Sequence, residues 1–548
     1  MSNTSKVACK NQNECDHIIE AKQRTIEQLI NIGQSLTANE NFDEVIEGIL
    51  LGAKNLSNAD GGTLYLMNED ETHLDFTVVQ TDSLDIKMGG TQGTITWPPL
   101  SLTKEDGELN KEQVAALCAI EKQLINIPDV YEAEGFNFEG TKKFDEGTGY
   151  RTKSMLVVPM TNHENDVIGV LQLLNKLDHD KQTIEFSQDD EKLIQSMASQ
   201  AAVTISNNRL IKDLEGLLNA FIKSIAAAIG EKSKYTGGHI NRVAEISEMI
   251  VEEINKDKTI YKDINYTDQE VKEISIAAWL HDIGKITTPE FVVDKGTKLE
   301  TIYDRINTVE AKFEVFKRDI EIEYLKNIAN SNDKNEKAKL KEEFENKIKE
   351  IEEDFEFIKT SNTGGEFMAD EKIERIEQIA DKTLIINNKE IKLLTENEVF
   401  NLSIRKGTLT NDERDVINNH VTMSYKMLEA LPFPKQLKRV PVIAASHHKK
   451  VGGGGYGDPR IMDLPMTLED KILAVADVFE ALTASDRPYK KANSLNQSMR
   501  ILSFMVKDEE LDRDLVKFFV DKELHMKYAE DNLMESQMDE ITVNFDEI

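Results

Sequence analysis

The sequence predicts a multidomain protein with an α+β N-terminal domain, a long connecting helix and an all-helical C-terminal domain that carries an inserted helical arm. Short strand-like runs separated by Asn, Asp and Gly turns fill the first third of the chain. One long helical pattern follows, and apolar helical segments on either side of a highly charged stretch occupy the remainder. At 548 residues the chain is long enough for two or three hydrophobic cores.

The N-terminal domain is expected over residues 17–210. An amphipathic helix is predicted at residues 17–38, because apolar side chains recur there near helical spacing. Four strand-like runs follow, each bounded by turn-forming residues: Gly62–Met67, Leu74–Gln80, Ser154–Met160 and Val167–Leu174. This mixture of helix and strands indicates an α+β sensor domain.

The connecting helix is predicted over residues 187–230. Ser187 and Asp190 have the spacing of a capping box, and only Gly216 interrupts the helical pattern that follows. A helix of this length would span about 65 Å. Because long helices that leave a small domain commonly pair with their own copy, we expect a homodimer.

Charge and composition exclude several classes of function. The net charge of -34 argues against general nucleic-acid binding, since neutralising phosphates requires a basic surface. No apolar run approaches the roughly 20 residues that cross a bilayer, and the polar start, residues 1–13, lacks the apolar segment of a secretory signal. We therefore expect a cytoplasmic protein that does not bind membranes. The three cysteines do not have the number or spacing of a disulfide framework or a zinc site.

Potential metal ligands are concentrated in the C-terminal half of the chain. Two adjacent pairs each follow an apolar helical run, one carboxylate lies within a third apolar helix, and two histidines stand singly. These residues are His239, His281, Asp282, His420, His447, His448 and Asp477. Imidazole together with carboxylate suits iron, manganese or zinc, and this many ligands can hold two ions that share a bridging water.

The order of these residues resembles the HD-GYP branch of the HD phosphohydrolases over roughly residues 220–510. The matching series is His281-Asp282-Ile283-Gly284-Lys285, His420, His447-His448, Gly455-Tyr456-Gly457, Asp477 and Asp486-Arg487-Pro488-Tyr489-Lys490. A single short motif recurs by chance, whereas an ordered series of this kind is specific. The resemblance implies a domain that hydrolyses cyclic di-GMP with two divalent metal ions, iron or manganese.

The resemblance also implies individual roles. The seven residues named above would be the metal ligands, with Asp282 bridging the two ions. Lys285 would contact the scissile phosphate or assist the leaving group. The substrate would be bound by Gly455, Tyr456, Arg487 and Lys490. By residue type alone, Tyr456 could instead pack in the core. Lys285, Arg487 and Lys490 could be ordinary solvated side chains.

The sequence departs from the family pattern in one loop and at one earlier position. Gly457 replaces a proline, Lys449 an acidic residue and Gly452 an aspartate. Because every implied ligand is present, these departures concern the rigidity of the loop and the choice of substrate. Family members with a third metal ion have a glutamate at the position of Tyr235. Because tyrosine stands there and Glu231 is a weaker candidate for the third-metal ligand, we expect two ions.

The N-terminal domain resembles the cyclic-nucleotide-binding GAF domains of phosphodiesterases. Its signature is Asn175-Lys176, Phe186 and Asp190-Glu191, and the stretches 127–131 and 144–154 are also similar. The resemblance implies an ion pair between Lys176 and Asp190 that shapes the pocket without touching a ligand. A cyclic nucleotide, another small ligand and a purely structural role are all compatible with this domain.

Two further regions are predicted within and after the helical domain. Far more residues separate Asp282 from His420 than in the family pattern, so residues 300–404 are expected to form an inserted, charged, antiparallel helical arm. The arm is either solvated or binds a protein partner. Residues 511–548 are expected to be an acidic C-terminal tail.

Together these expectations form one functional hypothesis. The chain is predicted to be a GAF-regulated, metal-dependent phosphodiesterase that converts cyclic di-GMP to pGpG or GMP. The first alternative is a catalytically weak receptor for the dinucleotide or for a protein partner. The second is a hydrolase of another cyclic dinucleotide.

Overall fold

A computed structural model describes residues 41–232, 236–365, 367–485 and 492–545. The helix predicted at residues 17–38 lies outside these ranges. The chain divides into two compact units, Met1–Leu217 and Leu218–Ile548. Within the described ranges, no helix is both long and apolar enough to cross a membrane.

The N-terminal unit is built on an antiparallel sheet. Its strands are β1 (Ala59–Met67), β2 (His73–Thr81), β3 (Ile86–Gly89), β4 (Leu100–Ser101), β5 (Ile125–Ile127), β6 (Met155–Thr161), β7 (Val167–Leu177) and β8 (Thr183–Ile184). The main path of the sheet runs β3-β2-β1-β7-β6-β5, with β4 beside β2 and β8 beside β7. The four predicted strands correspond to β1, β2, β6 and β7, whereas the shorter strands were not predicted because so few residues carry no periodic signal.

Alternating side chains give this sheet two buried faces. Leu64 and Leu66 of β1 pack in one core with helix α1 (Phe42–Ser57). Tyr65 and Met67 point the other way and pack in a second core with helix α2 (Val114–Glu121). Helix α3 (Glu139–Thr148) follows β5 in the chain. The expected α+β architecture is present.

The long helix α4 spans Gln188–Lys232, in agreement with the prediction for residues 187–230. The predicted capping box forms at its start. The backbone N–H of Ser187 donates to Asp190 Oδ2 at 2.7 Å, and the N–H of Asp190 donates to Ser187 Oγ at 3.3 Å. Ile194 and Ile205 of α4 are fully buried in the core of the N-terminal unit.

The C-terminal unit is mostly helical. Its helices are α5 (Thr236–Lys256), α6 (Asp268–Leu280), α7 (Glu290–Val293), α8 (Ile306–Asn330), α9 (Lys334–Asn362), α10 (Asp370–Ala380), α11 (Glu396–Leu402), α12 (Asn411–Asn418), α13 (His420–Glu429), α14 (Val440–Ala444), α15 (Pro459–Met462), α16 (Leu468–Thr483), α17 (Leu495–Lys507), α18 (Arg513–Asp521) and α19 (Leu524–Asn532). One large core joins α5, α6, α14 and α16 to the last three helices. Capping boxes at Thr267 and Thr467 fix where α6 and α16 begin.

The prediction of an acidic tail at residues 511–548 is wrong. Helices α18 and α19 pack into the main core of the C-terminal unit, and Phe518, Phe519 and Tyr528 are almost completely buried. The acidic residues between these apolar positions lie on the outer faces of amphipathic helices. The prediction was wrong because it gave more weight to the acidic composition of this segment than to the helical spacing of its apolar residues.

The inserted arm is present, but it is not purely helical. Helices α8 and α9 form a hairpin joined at residues 331–333. A two-stranded antiparallel ribbon follows α10, formed by β9 (Thr383–Ile386) and β10 (Lys389–Lys392). The arm has a hydrophobic core of its own, separate from the main core, that includes Leu299, Phe313, Ile358 and Leu402.

Candidate metal centre

The seven candidate ligands come from separate segments of the C-terminal unit and converge on one buried site. His239 lies in the first turns of α5, His281 caps the C-terminus of α6, and Asp282 begins a 3₁₀ turn that follows. The others are His420 at the start of α13, His447 and His448 in the turn after α14, and Asp477 in the middle of α16. The sequence therefore predicted a set of side chains that the fold brings together.

The ligand atoms fall into two groups that share Asp282. The first group is His239, His281 and Asp477, and the second is His420, His447 and His448; within each group the ligand atoms lie within 4.8 Å of one another. Asp282 Oδ2 lies 3.4 Å from His281 Nε2, and Asp282 Oδ1 lies 3.3 Å from His420 Nε2. A carboxylate whose two oxygens face different groups has the geometry of a bridging ligand.

Backbone carbonyls fix the tautomer of three of these histidines. Nδ1 donates to the carbonyl oxygen three residues earlier, at 2.7 Å in His281 and at 2.6 Å in both His420 and His447. Because a carbonyl oxygen only accepts, the proton is on Nδ1 and the lone pair of each neutral ring is on Nε2. Nε2 is therefore the atom that each ring offers to a metal.

Buried side-chain atoms without a hydrogen-bond partner are concentrated among the candidate ligands. Among the described residues, ten buried side-chain nitrogen and oxygen atoms have no hydrogen-bond partner. Four of the ten are Nε2 of His281, His420 and His447, and Oδ1 of Asp282. Leaving a buried polar atom unpaired is costly, so four together indicate a ligand common to them. The donor set of imidazole and carboxylate fits a divalent transition metal.

At His447, His448 and Asp282 the electrostatic surroundings favour the protonation states that bind metals. Burial lowers the pKa of His448 to about 4, and burial together with His448 and His281 holds the pKa of His447 well below its ordinary value. Burial opposes ionisation of Asp282, but Lys285 and His281 outweigh it and hold the pKa of that carboxyl below its ordinary value. Neutral imidazole and ionised carboxylate are the metal-binding forms.

Glu480 orients the candidate ligand His239, and it was not among the residues predicted from the sequence. This fully buried carboxylate accepts a hydrogen bond from His239 Nδ1 through Oε2, which directs His239 Nε2 towards Asp477 Oδ1, 3.1 Å away. Its other oxygen, Oε1, accepts from Arg242 at 2.7 Å. Burial lowers the pKa of His239, but the hydrogen bonds to Asp477 and Glu480 outweigh it and raise that pKa to about 9. The signal in the sequence was the spacing of Glu480, one helical turn after Asp477.

A second unpredicted contact positions the His281-Asp282 segment. Ser424 Oγ donates to the carbonyl oxygen of His281 at 2.8 Å and accepts from the N–H of Gly284 at 2.9 Å. A Cβ atom at position 284 would lie 1.9 Å from the carbonyl oxygen of His420, so only glycine allows α13 to approach this closely. The close approach brings the two ligand groups together.

Lys285 lies directly beside the bridging carboxylate. Its Nζ is 2.6 Å from Asp282 Oδ2, and 19% of its side chain remains exposed. The ammonium group is therefore at the edge of the ligand cluster, where it can contact an anion bound there.

Comparisons with known families cover both units of the chain. The model of the GAF domain matches residues 41–205, and models of HD domains match residues 236–384 and 395–515. The two HD matches together contain all seven candidate ligands. The chain carries a GAF domain followed by an HD-type domain.

Individual relatives are more distant. The cGMP-specific 3′,5′-cyclic phosphodiesterase of Drosophila sechellia is 28% identical over 181 residues, which are 32% of this chain and 14% of that protein. The match thus spans about a seventh of the relative's length. Among solved structures, the GAF domain from Acinetobacter phosphoenolpyruvate-protein phosphotransferase is 16% identical, covering 35% of this chain and 98% of that chain with a TM-score of 0.26. The GAF domain from a phosphoenolpyruvate-protein phosphotransferase of Coxiella burnetii is 14% identical. The match covers 34% of this chain and 96% of that chain, with a TM-score of 0.27.

The GAF domain contains a cavity of about 570 Å³, a size that suits a small molecule. Its walls combine aromatic rings with neutral polar groups, among them Tyr65, Phe76, Trp97, Phe138 and Gln172. None of the described residues that line it carries a formal charge. A ligand would therefore be held by ring contacts and by hydrogen bonds to uncharged protein groups.

The GAF signature residues support the fold around this cavity and do not line it. Lys176 and Asp190 form the expected ion pair. The side-chain amide of Asn175 bridges the backbone, donating to the carbonyl oxygen of Arg151 at 2.8 Å and accepting from the N–H of Lys153 at 2.7 Å. The other two signature residues are buried Phe186 and partly buried Glu191, which accepts from Asn126 at 2.7 Å.

The altered loop of the HD domain is packed against its surroundings. The ring of Tyr456 lies 4.4 Å from the ring of His448. Gly455 has a φ of 93°, and a Cβ there would lie 2.1 Å from the carbonyl oxygen of His448. A Cβ at Gly452 would meet Glu509 at 2.7 Å, so this position has no room for the aspartate of the family pattern. Lys449 Nζ donates to the carbonyl oxygens of Ile461 and Leu464 at 2.9 and 2.6 Å.

Several predicted positions lie outside the described residues. They are Tyr235 and the segment 486–491, which includes Arg487 and Lys490. The side chain of Glu231 is also outside them. The roles assigned to these residues therefore stay predictions from the sequence.

Replacing Glu480 by glutamine should weaken metal binding about 10- to 100-fold, because it removes the charge that orients His239. The dissociation constant is measured by competition with a chromogenic chelator. Glu273→Gln is the matched control, since Glu273 is a buried carboxylate of the same domain that bonds to the backbone of Arg439 and contacts no candidate ligand. Equal loss of affinity in both variants would show that Glu480 supports only the fold.

Proposed function

We propose that this chain is a metal-dependent phosphodiesterase of the HD-GYP type that hydrolyses a cyclic dinucleotide. Cyclic di-GMP is the expected substrate, with pGpG or GMP as the product. The observation that carries the proposal is the pair of ligand groups that share Asp282. A dinuclear centre of this kind suits in-line hydrolysis of a phosphodiester.

The residues of the chain divide the chemistry among them. When bound, two metal ions would supply a hydroxide nucleophile and neutralise charge on the phosphate oxygens. Hydrolysis forms a bond from the water oxygen to phosphorus and breaks the bond from phosphorus to the 3′-oxygen, which takes up a proton. Lys285 lies beside Asp282 and is placed to stabilise the departing oxygen or to provide that proton. The backbone hydrogen bonds at Nδ1 hold the histidines in one orientation throughout.

The relative from Drosophila sechellia supports two parts of the proposal. Its name describes a cyclic-nucleotide phosphodiesterase specific for cGMP. We infer that hydrolysis of a phosphodiester also suits this chain, and that a cyclic mononucleotide occupies the GAF cavity and alters turnover at the HD domain. A ligand can do so only if it binds two states of the protein with different affinity.

A catalytically weak receptor is the second candidate. The observation that favours it is the packing of Tyr456 on His448 together with the tight seating of Gly452 against Glu509. A loop packed in this way cannot easily change conformation around a large substrate during turnover. Tight binding of a cyclic dinucleotide without product would establish this alternative.

Elemental analysis of the purified protein should find about two transition-metal ions per chain, and the protein should hydrolyse cyclic di-GMP in preference to other cyclic dinucleotides. His281→Ala with Asp282→Ala should remove both metal and turnover. His179→Ala is the control, because His179 is exposed in the GAF domain and should change neither. Full activity in protein stripped of metal would refute the site assignment.

Lys285→Ala should lower kcat about 100-fold while the metal content stays unchanged, because Lys285 acts at the developing charge and is not a ligand. Arg487→Ala should chiefly raise KM. The two effects are separated by steady-state kinetics together with elemental analysis of each variant. Loss of metal from both variants would show that these cations only support the structure.

Binding of a cyclic mononucleotide in the GAF cavity should change the fluorescence of Trp97, which lines the cavity and is 40% exposed. The chain has two tryptophans, so Trp279→Phe leaves Trp97 as the reporter. Titration with cyclic GMP and cyclic AMP should give a saturable change in this variant, and calorimetry should give the same affinity. No change with either nucleotide would assign the cavity to another ligand or to a structural role.

A further inference from the structure

One polar side chain of the GAF sheet faces the cavity from an otherwise apolar stretch of strand. Between Val167 and Leu174 of β7, Gln172 is the only residue with a polar side chain. Because side chains alternate along a strand, Gln172 shares the face of Val170 and Leu174, which pack in the core that includes Tyr65. Gln172 is half-buried and lines the cavity. Burying part of an amide among apolar side chains is costly unless the amide is hydrogen-bonded.

The Gln172 side chain has no hydrogen-bond partner among the protein groups that the structure describes. Two other polar side chains of the cavity wall are engaged by the protein itself. Asn137 Oδ1 accepts from the N–H of Glu139 at 3.0 Å, and Thr152 Oγ1 donates to Asp145 Oδ1 at 2.8 Å. Gln172 therefore offers both a donor and an acceptor to a molecule in the cavity.

Aromatic rings lie beside this amide. Thr63 of β1 is the cross-strand neighbour of Gln172, and Tyr65 lies two residues further along β1 on the same face. The ring of Tyr65 lies 4.8 Å from the ring of Phe76, which lies 5.2 Å from the ring of Trp97. All three rings line the cavity. Flat rings with an amide beside them suit a planar heterocycle, which stacks on the rings and hydrogen-bonds through its edge.

We propose that Gln172 recognises the nucleobase of the ligand in the GAF cavity. This inference rests on the proposed function, in which a cyclic mononucleotide binds there. No described residue that lines the cavity carries a formal charge, so selection among ligands depends on their uncharged groups. The amide can donate to O6 of guanine and accept from its N1–H, or donate to N1 of adenine and accept from its 6-amino group. The wild type should therefore bind cyclic GMP and cyclic AMP with similar affinity.

Changing this amide to a carboxylate should create a preference for guanine. Gln172→Glu offers two acceptors and no donor, so guanine can donate from N1–H and its 2-amino group, whereas N1 of adenine would face a carboxylate oxygen. Titration calorimetry on the full chain should show the ratio of cyclic GMP affinity to cyclic AMP affinity rising about 10- to 100-fold over the wild type. Gln113→Glu is the matched control, because it adds the same charge elsewhere on the cavity wall and should leave this ratio unchanged.

A second variant separates recognition of the base from a role in the fold. Gln172→Leu should weaken binding of both nucleotides about 10-fold, because the edge of each base loses its partner. Its melting temperature without ligand should not fall, since apolar Val170 and Leu174 flank the position. A wild type that binds neither nucleotide would overturn the proposed ligand and this inference together. If the wild type binds both, an unchanged affinity ratio in Gln172→Glu, or unchanged affinities with a lower melting temperature in Gln172→Leu, would overturn this inference alone.

Discussion

The arrangement of the HD domain depends on one buried carboxylate. Asp282 lies between the two ligand groups, and each of its oxygens faces a different group. An ionised carboxylate in this position is costly unless positive charge surrounds it, and Lys285 and any bound cations meet that need. The helices that carry the histidines are consequently constrained to meet at one point. The close approach of α13 at Gly284 and the hydrogen bonds of Ser424 satisfy this constraint.

Orientation of the ligands comes mainly from the backbone. Three histidines donate from Nδ1 to a carbonyl oxygen three residues earlier, so each ring is fixed by the end of its own helix or turn. His239 instead donates from Nδ1 to Glu480, which also accepts a hydrogen bond from Arg242. The orientation of the ligands therefore has two sources. Three rings are held by local hydrogen bonds to the backbone, and His239 is held by a long-range network of specific side chains.

The sequence predicted the ligands because adjacent ligand pairs at helix ends form an ordered and specific pattern. It did not predict Glu480, because the spacing of Glu480 from Asp477 shows only that both lie on one face of a helix, while the contact with His239 joins positions far apart in the chain. Strands such as β7 and the helix α4 were predicted because their periodicity is long enough to recognise. The segment that contains Phe518 and Phe519 was misjudged, because its acidic composition was given more weight than its amphipathic spacing.

The inserted arm has a consequence for how this protein can change. Its core is self-contained, and its two ends are held together where the Nζ of Lys298 donates to the carbonyl oxygen of Leu402 at 2.9 Å. A segment that enters and leaves a domain at neighbouring points can be gained, lost or exchanged without altering the path of the surrounding chain. None of the seven candidate ligands lies in residues 300–404, so a shorter connection between these two ends would leave the ligand-bearing segments on the same path.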